Sequence, residues 1–311
     1  MTARARIAGL TLVGLLPFVG TGCIVIADGG WGWSCCNLKV ATEPVTERID
    51  LDLGGVDGLD VRTHNGRVSF DAQPAGTGEA FVIATKKGRG RTMAEAKAAL
   101  DAIEVYVEPA GTGVHRIGWR WKGIKPPYWG ATVAFEIQAP GDIHLVAHTH
   151  NGPVEVTGVR RGVQLETHNG AIEANEVAGD VHVETHNGPV VVASGGGKLY
   201  GRTHNGSVTV DYVGDDVTLI THNGRVVADV SRCGALGGTL TTHNGSVTAV
   251  VGDDTSAHLT VRTHHGAISC DVPLSDSRYT KRKLTGTIGA GAGSLKLTTH
   301  NGSVRIRKEA G

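Results

Sequence analysis

Val163-Gln-Leu-Glu-Thr-His-Asn-Gly-Ala-Ile172 returns almost unchanged as Val181-His-Val-Glu-Thr-His-Asn-Gly-Pro-Val190, and this recurrence decides the fold. The tetrapeptide Thr-His-Asn-Gly also begins at Thr63, Thr149, Thr203, Thr221, Thr242 and Thr299, and at Thr263 with His265 in place of Asn. Thr149, Thr167, Thr185, Thr203 and Thr221 are evenly spaced, each 18 beyond the one before; the next two steps are 21, and the last is 36, which reads as two coils with the motif lost from the middle one. A fixed period of about 20 residues marks stacked supersecondary units, each too small to bury its apolar face alone.

The flanking residues say which unit is stacked. The second and fourth residues after each motif Gly are apolar, as in Val154/Val156, Val190/Val192, Val208/Val210 and Val304/Ile306. The second and fourth residues before the motif Thr are mostly apolar too, as in Val163/Leu165, Val181/Val183 and Leu295/Leu297. Both patterns are strand alternation. Continued through the motif, this parity turns Thr and Asn inward and His outward. Each coil then holds a strand ending in Thr-His, an Asn-Gly corner, a second short strand and a return turn with Gly or Asp, such as Gly179-Asp180 or Gly252-Asp253-Asp254. Asn-Gly between apolar alternations is also a hairpin signal. An identical corner at an even step, with identical flanking parity, instead requires coil stacking. The expected fold is all-β, a single-chain β-solenoid (β-helix) of about 18 to 21 residues per coil.

Gly is expected to allow a positive φ at the corner, at Gly152, Gly170, Gly188, Gly206, Gly224 and Gly245. Stacked amides are expected to bond along the stack, from Asn65, Asn151, Asn169, Asn187, Asn205, Asn223, Asn244 and Asn301.

Between Thr63 and Thr149 the repeat breaks for far longer than one coil. Thr92 to Glu95 fits a capping box, and the Ala-rich run to Leu100 predicts one short helix. Strand alternations follow at Ile103/Val105/Val107 and Val133/Phe135/Ile137, and another precedes the first motif at Ile49/Leu51/Leu53. Trp119, Trp121, Tyr128 and Trp129 lie between them. The interval is expected to close one end of the stack, whose edges would otherwise pair with other chains; a stacking surface for a sugar or peptide is the other reading of the Trp cluster. Arg305, Arg307, Lys308 and Glu309 place charge on the final strand.

Composition sets further bounds. With 311 residues, 40% of them hydrophobic, the chain can bury a substantial core; 46 Gly and 5% aromatics suit narrow coils filled by Val, Leu and Ile. Lys and Arg total 30, as do Asp and Glu, so no global field favours nucleic acid. The run Lys86-Lys87-Gly88-Arg89-Gly90-Arg91 reads as a solvated loop.

At the amino terminus, Arg4 and Arg6 precede an apolar stretch from Ile7 to Val19, too short to span a membrane permanently and laid out as a secretory signal. The expected division is a signal peptide over 1–22, a lipid-anchored tether over 23–45, a region of strands, helix and cap over 46–140, and solenoid repeats over 141–311. Beyond Cys23, Cys35, Cys36, Cys233 and Cys270 form an even set, compatible with disulfides in an oxidising compartment without indicating a pairing. Cys270 stands at a core position.

Two resemblances follow from these residues. Gly20-Thr21-Gly22-Cys23 resembles the bacterial lipoprotein signal, in which the Cys is lipidated, although Gly20 stands where that signal usually has Leu. The resemblance implies an exported chain anchored to the membrane through Cys23, and Ile24 after it favours the outer membrane or cell surface. The helix-bearing interval, the Pro140-Gly141 turn and the repeated Thr-x-Asn-Gly-x-Val-x-Val resemble the bacterial putative-adhesin family of surface β-solenoid domains, over roughly residues 46 to 311. That family supplies no catalytic residues to carry over, and a His in every copy is a departure from it.

The outward His150, His168, His186, His204, His222, His243 and His264 would form a row at about 4.8 Å spacing. Such a row has three readings: passive repetition, a metal-binding face for Zn²⁺, Cu²⁺ or Ni²⁺ if two or three rings converge, and an adhesive face that becomes cationic near pH 6.5. No resident cofactor is expected; a glycan or protein surface is the candidate ligand, and oligomeric state stays open. A β-helix polysaccharide-active enzyme is the remaining class, but the Asp residues fall in turns and no nucleophile elbow is present, so no catalytic residue is assigned. Gly289-Ala290-Gly291-Ala292-Gly293 precedes a strand pattern, not the helix a dinucleotide loop needs.

Overall fold

Strand alternation on both sides of each motif gives two inward-facing apolar rows per repeat, and the chain buries them against each other. The computed structural model describes residues 23–27, 30–34, 39–74, 79–212, 214 and 216–309. The signal segment over 1–22, Cys35 and Cys36 lie outside the described residues. Two 13-stranded sheets dominate, and each repeat contributes one strand to each. One sheet, here the histidine sheet, carries the strands that end in the motif, such as Asp180–Asn187; the other, the valine sheet, carries the strands after the corner, such as Val190–Gly195.

Successive repeats pair in parallel and in register. Val163, Leu165, Thr167 and Asn169 face Val181, Val183, Thr185 and Asn187 across the histidine sheet, while Ile172 and Ala174 face Val190 and Val192 across the valine sheet. The parallel register excludes a hairpin at the Asn-Gly corner, which would pair the two flanking strands antiparallel. The first longer step preserves register, with Leu219 opposite Leu240 and Thr221 opposite Thr242, because its extra residues are taken up in a return turn, while Thr242 and Thr263 keep register through Thr299 on the strand between them. One such turn tucks Cys233 into the core.

The interior is almost wholly aliphatic. Leu165, Ile172, Val183, Val190, Val208, Leu219, Val226 and Val247 have no accessible surface, and each such side chain contributes about 1.5–3 kcal/mol of burial. Tyr212 is the largest fully buried side chain; its hydroxyl donates to the Gly196 carbonyl, and burial raises its pKa.

Sequence order and spatial order part company at both ends. After the strand Ala257–His265 the chain makes the antiparallel hairpin Ser275–Thr280 and Lys283–Ile288. It then returns to place Gly293–Asn301 between Gly237–Asn244 and Ala257–His265. Val304–Lys308 likewise lies between Val247–Val251 and Ile268–Cys270. The last step is therefore not two coils with one motif lost: it is a capping hairpin followed by a strand pair that fills an interior slot. At the amino-terminal end, Gly58–Arg62 lies between Val114–Trp121 and His144–Asn151, and Val68–Gln73 lies between Gly130–Pro140 and Val154–Thr157. The first repeat is interior as well.

The interval after Thr63 closes that end. The helix Met93–Asp101 forms with Thr92 and Glu95 as its capping box, and it packs on the strand Phe81–Gly90, where a Cβ on Gly88 would lie 2.1 Å from the Ala96 carbonyl oxygen. Lys86 to Gly90 belong to that strand, with Lys86 Nζ 2.7 Å from Glu47, so the solvated loop expected there is corrected. Gly is a poor strand former and the charged run suggests solvent, but pairing on both flanks overrides that local preference. Trp119 and Trp121 meet edge to face at 5.4 Å, Trp121 lies 6.0 Å from Trp129, and both Trp119 and Trp121 pack on the core edge. The Gly289–Gly293 stretch leads into the strand Gly293–Asn301.

Candidate functional site

The outward face is built by the motif, and each of its four residues has a distinct task. Thr is inward and buried, and its hydroxyl donates to the carbonyl of the corner Gly on the neighbouring rung: Thr185 to Gly170 at 2.9 Å, Thr203 to Gly188 at 2.9 Å, Thr221 to Gly206 at 3.0 Å. The Gly amide donates along the stack to an Asn carbonyl, as Gly188 does to Asn205 at 3.0 Å. Gly has a steric task. A Cβ on Gly170, Gly188, Gly206 or Gly245 would sit 2.0 Å from the carbonyl oxygen of the corner Gly on the adjacent rung, and on Gly224 1.9 Å.

That contact corrects the conformational reason expected for Gly. Gly152, Gly188 and Gly245 have φ of 152°, 159° and 157°, bordering extended backbone, while Gly170, Gly206 and Gly224 lie outside the left-handed range. Close approach is what all the corners share.

Asn also departs from expectation. Asn65 and Asn151 are half-buried and Asn169, Asn187, Asn205, Asn223, Asn244 and Asn301 are exposed, so the inward parity assigned to Asn is corrected. Alternation ends at His because the backbone turns there. The amides do bond to one another, each Nδ2 donating to the Oδ1 of the adjacent rung at 2.6–2.8 Å, from Asn151 on Asn65 through Asn301 on Asn244.

His is left with no such bond. His150, His168, His186, His204, His222, His243 and His264 do form a row, joined by His64 at one end and by His300 between His243 and His264. Centroid spacings are 4.6–4.9 Å, and from His168 to His243 the rings lie within 4° of parallel. The place of His300 depends on the returning strand, which the sequence order hides. At the last rung His265 replaces Asn and meets His264 edge-on at 4.5 Å.

Parallel rings about 4.8 Å apart hold equivalent nitrogens at that same separation. One ion at about 2.0 Å from two imidazoles requires nitrogens within about 4 Å. The ladder as stacked does not bring two rings onto one ion, and among the described residues no group of three or more His, Cys, Asp or Glu is arranged to hold a metal.

Electrostatics along the row are uneven. Burial, then the charges His222, His186 and Arg202 would share with it, lower the pKa of His204; burial, then His243, His264 and His265, lower that of His300. A His whose folded pKa is depressed binds its proton more readily in the unfolded chain, so its contribution is intact above the unfolded value of about 6.5 and is lost as pH falls through the folded value. The melting temperature is accordingly expected to fall as pH is lowered from 7.5 to 5, with a smaller slope when His204 and His300 are both changed to Gln. A thermal-denaturation series at several pH values measures this; identical slopes for the two chains would count against charge crowding in the ladder.

Beside the ladder runs a second outward column. It reads Arg62, His148, Glu166, Glu184, Arg202, Ile220, Thr241, Thr298 and Arg262 in spatial order. Its first half is engaged within itself: Asp60 bonds Arg62 and Arg116, Glu166 lies 3.1 Å from His148, and Glu184 lies 3.3 Å from His182. Asp60 is held below the usual carboxylate range because those two arginines outweigh the cost of its burial. The second half is different. Arg202, Arg262, Arg282 and Lys283, with the ladder from His204 to His264, line a groove of about 780 Å³ floored by Ile220, Thr241 and Thr298. Arg282 and Lys283 escaped sequence reasoning, since only the antiparallel hairpin brings Lys283 beside Arg262.

Cys23 begins a two-stranded antiparallel hairpin, Cys23–Ala27 with Gly30–Ser34. Cys233 is buried, its Sγ donating to backbone carbonyls of the neighbouring rung, and Cys270 is half-buried. Among the described residues no helix is long and apolar enough to cross a membrane.

No family model matches the chain, and no curated protein matches it. Among solved structures, a putative adhesin from Parabacteroides distasonis is 10% identical, with 85% of this chain and 97% of that one covered at a TM-score of 0.42. A putative adhesin from Bacteroides fragilis is 10% identical over the same shares at 0.41. A putative cell adhesion protein from Clostridium sporogenes is 10% identical, covering 86% of this chain and 100% of that one at 0.30.

Proposed function

We propose that this chain is a non-catalytic cell-envelope protein, a β-solenoid that acts as a surface scaffold or adhesin and engages its ligand through the histidine sheet. The observation that supports this reading is the division of labour within the motif. Thr, Asn and Gly are each consumed by contacts to the next rung, whereas His is repeated nine times on an outward row, exposed in every copy but the half-buried His300.

The proposal extends to location. Residues 1–22 are a secretory signal, Cys23 carries a lipid, residues 23–45 form the tether to the outer membrane, and residues 46–140 close the near end of the repeats. Val40–Ala41 pairs with Phe81–Gly90 in the end region of the valine sheet, so the tether enters at the capped end. Eleven interstrand steps of about 4.8 Å then carry the opposite end about 53 Å away. A ligand face near that end stands clear of the bilayer.

The test is adhesion. Beads coated with the full chain, in buffer containing EDTA, are expected to be retained on surfaces bearing polysaccharide or protein from a neighbouring cell. Beads coated with a chain in which His168, His186, His204 and His222 are all Gln should be retained several-fold less. Equal retention of the two would overturn the proposed role of the ladder, and loss of retention in EDTA alone would transfer the reading to a metal-dependent face.

A further inference from the structure

The groove beside the last five rungs has a charge composition unlike the rest of the outward surface. Several arginines elsewhere are spent on neighbours, Arg67 on Glu155, Arg120 on Glu104 and Glu108, Arg161 on Asp57 and Asp142, Arg232 on Asp211, and the other groove of the same sheet is lined by Asp180 and Asp216. Among the described residues, Arg202, Arg262, Arg282 and Lys283 have no acidic partner within ion-pair distance, and no Asp or Glu lines the groove. Arginines left unpaired in a concave site are poised for a ligand's carboxylates or sulfates, which match the guanidinium fork.

The spacing of these cations describes the ligand's length. Arg202 and Arg262 stand four rungs apart, about 19 Å along the stack at the interstrand distance, and Lys283 lies one strand beyond Arg262. Between them the floor is Ile220, Thr241 and Thr298, with the Thr298 hydroxyl itself buried, an uncharged surface that suits a ligand neither strongly apolar nor charged in its middle. One wall is the stacked imidazoles, whose exposed edges donate or accept hydrogen bonds as required. An extended chain of hydroxyl-rich units bearing anionic groups satisfies the floor, the wall and both charged ends.

We propose that this groove binds a linear acidic glycan, a carboxylated or sulfated oligosaccharide of several sugar units lying along the rungs. The proposal rests on the ligand-face reading above and assigns that face its ligand class and its place.

Acidification strengthens the site. His204 is faced by Arg202, His186 and His222; His243 by His222 and His300; His300 by His243, His264 and His265; and Arg262, Lys283 and Arg282 flank the last rung. Lys296 lies farther along the outward face of the returning strand, and Glu184 borders Arg202 across the preceding rung but is engaged with His182. The groups facing His204 and His300 are therefore cationic or become so, which opposes their protonation in the empty groove. A bound polyanion removes that opposition, so ligand and protons bind together.

Calorimetric titration of the full chain with a size-defined oligogalacturonate, in EDTA, tests the assignment. Binding is expected at pH 7.5 and at least about tenfold tighter at pH 5.5, where the sugar carboxylates stay ionised. The fully methyl-esterified oligomer should bind at least about tenfold more weakly than the acid form. The triple variant Arg202→Gln, Arg262→Gln and Lys283→Gln should lose at least about tenfold in affinity, and Lys198→Gln, on the other groove of the same sheet, should bind as the parent does. A circular dichroism melt of the triple variant that matches the parent shows that the loss is local.

Several results would overturn the proposal while leaving the surface reading in place: equal affinity for the esterified and acid oligomers, unaltered affinity in the triple variant, or affinity that does not rise at pH 5.5. Preference for inorganic polyphosphate over oligogalacturonate at equal charge would overturn the glycan class. Loss of adhesion by the coated beads on every surface, with oligogalacturonate binding intact, would overturn the surface reading and not this one.

Discussion

Gly206→Ala is expected to destabilise the protein by at least about 3 kcal/mol, although it adds one methyl group at a half-exposed corner. The new Cβ would lie 2.0 Å from the Gly188 carbonyl oxygen and 2.5 Å from its carbon. Neither atom is free to retreat: that carbonyl accepts from Thr203, and the Gly188 amide donates to Asn205 at 3.0 Å. On the other side, Gly206 itself donates to Asn223 and accepts from Thr221. Relief would require the two rungs to separate, breaking the parallel register of both sheets. Conformational strain has no part in this, because Gly206 lies outside the left-handed region. Ser207→Ala, one residue along and exposed, should stay within about 0.5 kcal/mol. Urea denaturation of the three chains measures the difference; a Gly206→Ala midpoint equal to that of Ser207→Ala would mean the rungs are not in the close contact described.

Deleting residues 293–311 is expected to abolish the cooperative fold. In a stack laid down in sequence order, loss of the last coil removes one terminal neighbour and leaves the remainder intact. Here the deleted strands are interior. Gly293–Asn301 lies between Gly237–Asn244 and Ala257–His265, and Val304–Lys308 lies between Val247–Val251 and Ile268–Cys270. Their removal strips Leu240, Ala249, Leu259 and Val261 of the buried Leu295, Leu297, Val304 and Ile306. It also opens unpaired edges on both sides of the gap, which favours aggregation. Circular dichroism and size-exclusion chromatography of the shortened chain should show loss of the single melting transition and association. A monomer that melts cooperatively within a few degrees of the parent would contradict the interleaved order.

These two cases show what the sequence discloses and what it conceals. The alternation at Val181/Val183 and Val190/Val192 exposes two apolar strands per repeat, and the even step between motifs leaves parallel in-register pairing as the arrangement that meets every copy's parity. The capping box at Thr92 and Glu95 is local chemistry and is equally legible. The outward place of Asn187 is hidden because alternation is a property of extended backbone, and the chain leaves that geometry at the corner. The task of Gly is hidden because a clash with the next rung's carbonyl is an inter-rung contact, invisible within one repeat. The slot of the final strands is set by the hairpin Ser275–Thr280 and Lys283–Ile288, whose polar sequence carries no periodic signal of its own. The basic groove follows from that same hairpin. Its histidines are legible as a row, and Arg202 and Arg262 as outward residues just before their motifs, but Arg282 and Lys283 are not.

Thr, Asn and Gly hold the stack through contacts between rungs, and the proposed ligand role falls to His. Urea unfolding at pH 7.5 of two fourfold variants tests this division most directly, one with His204, His222, His243 and His300 changed to Gln, the other with Asn205, Asn223, Asn244 and Asn301 changed to Ala. The histidine variant should remain within about 1 kcal/mol of the parent, and the asparagine variant should lose about 1 kcal/mol for each of its amide bonds. Equal losses in the two variants, or a larger loss in the histidine variant, would make the ladder part of the scaffold and contradict the claim.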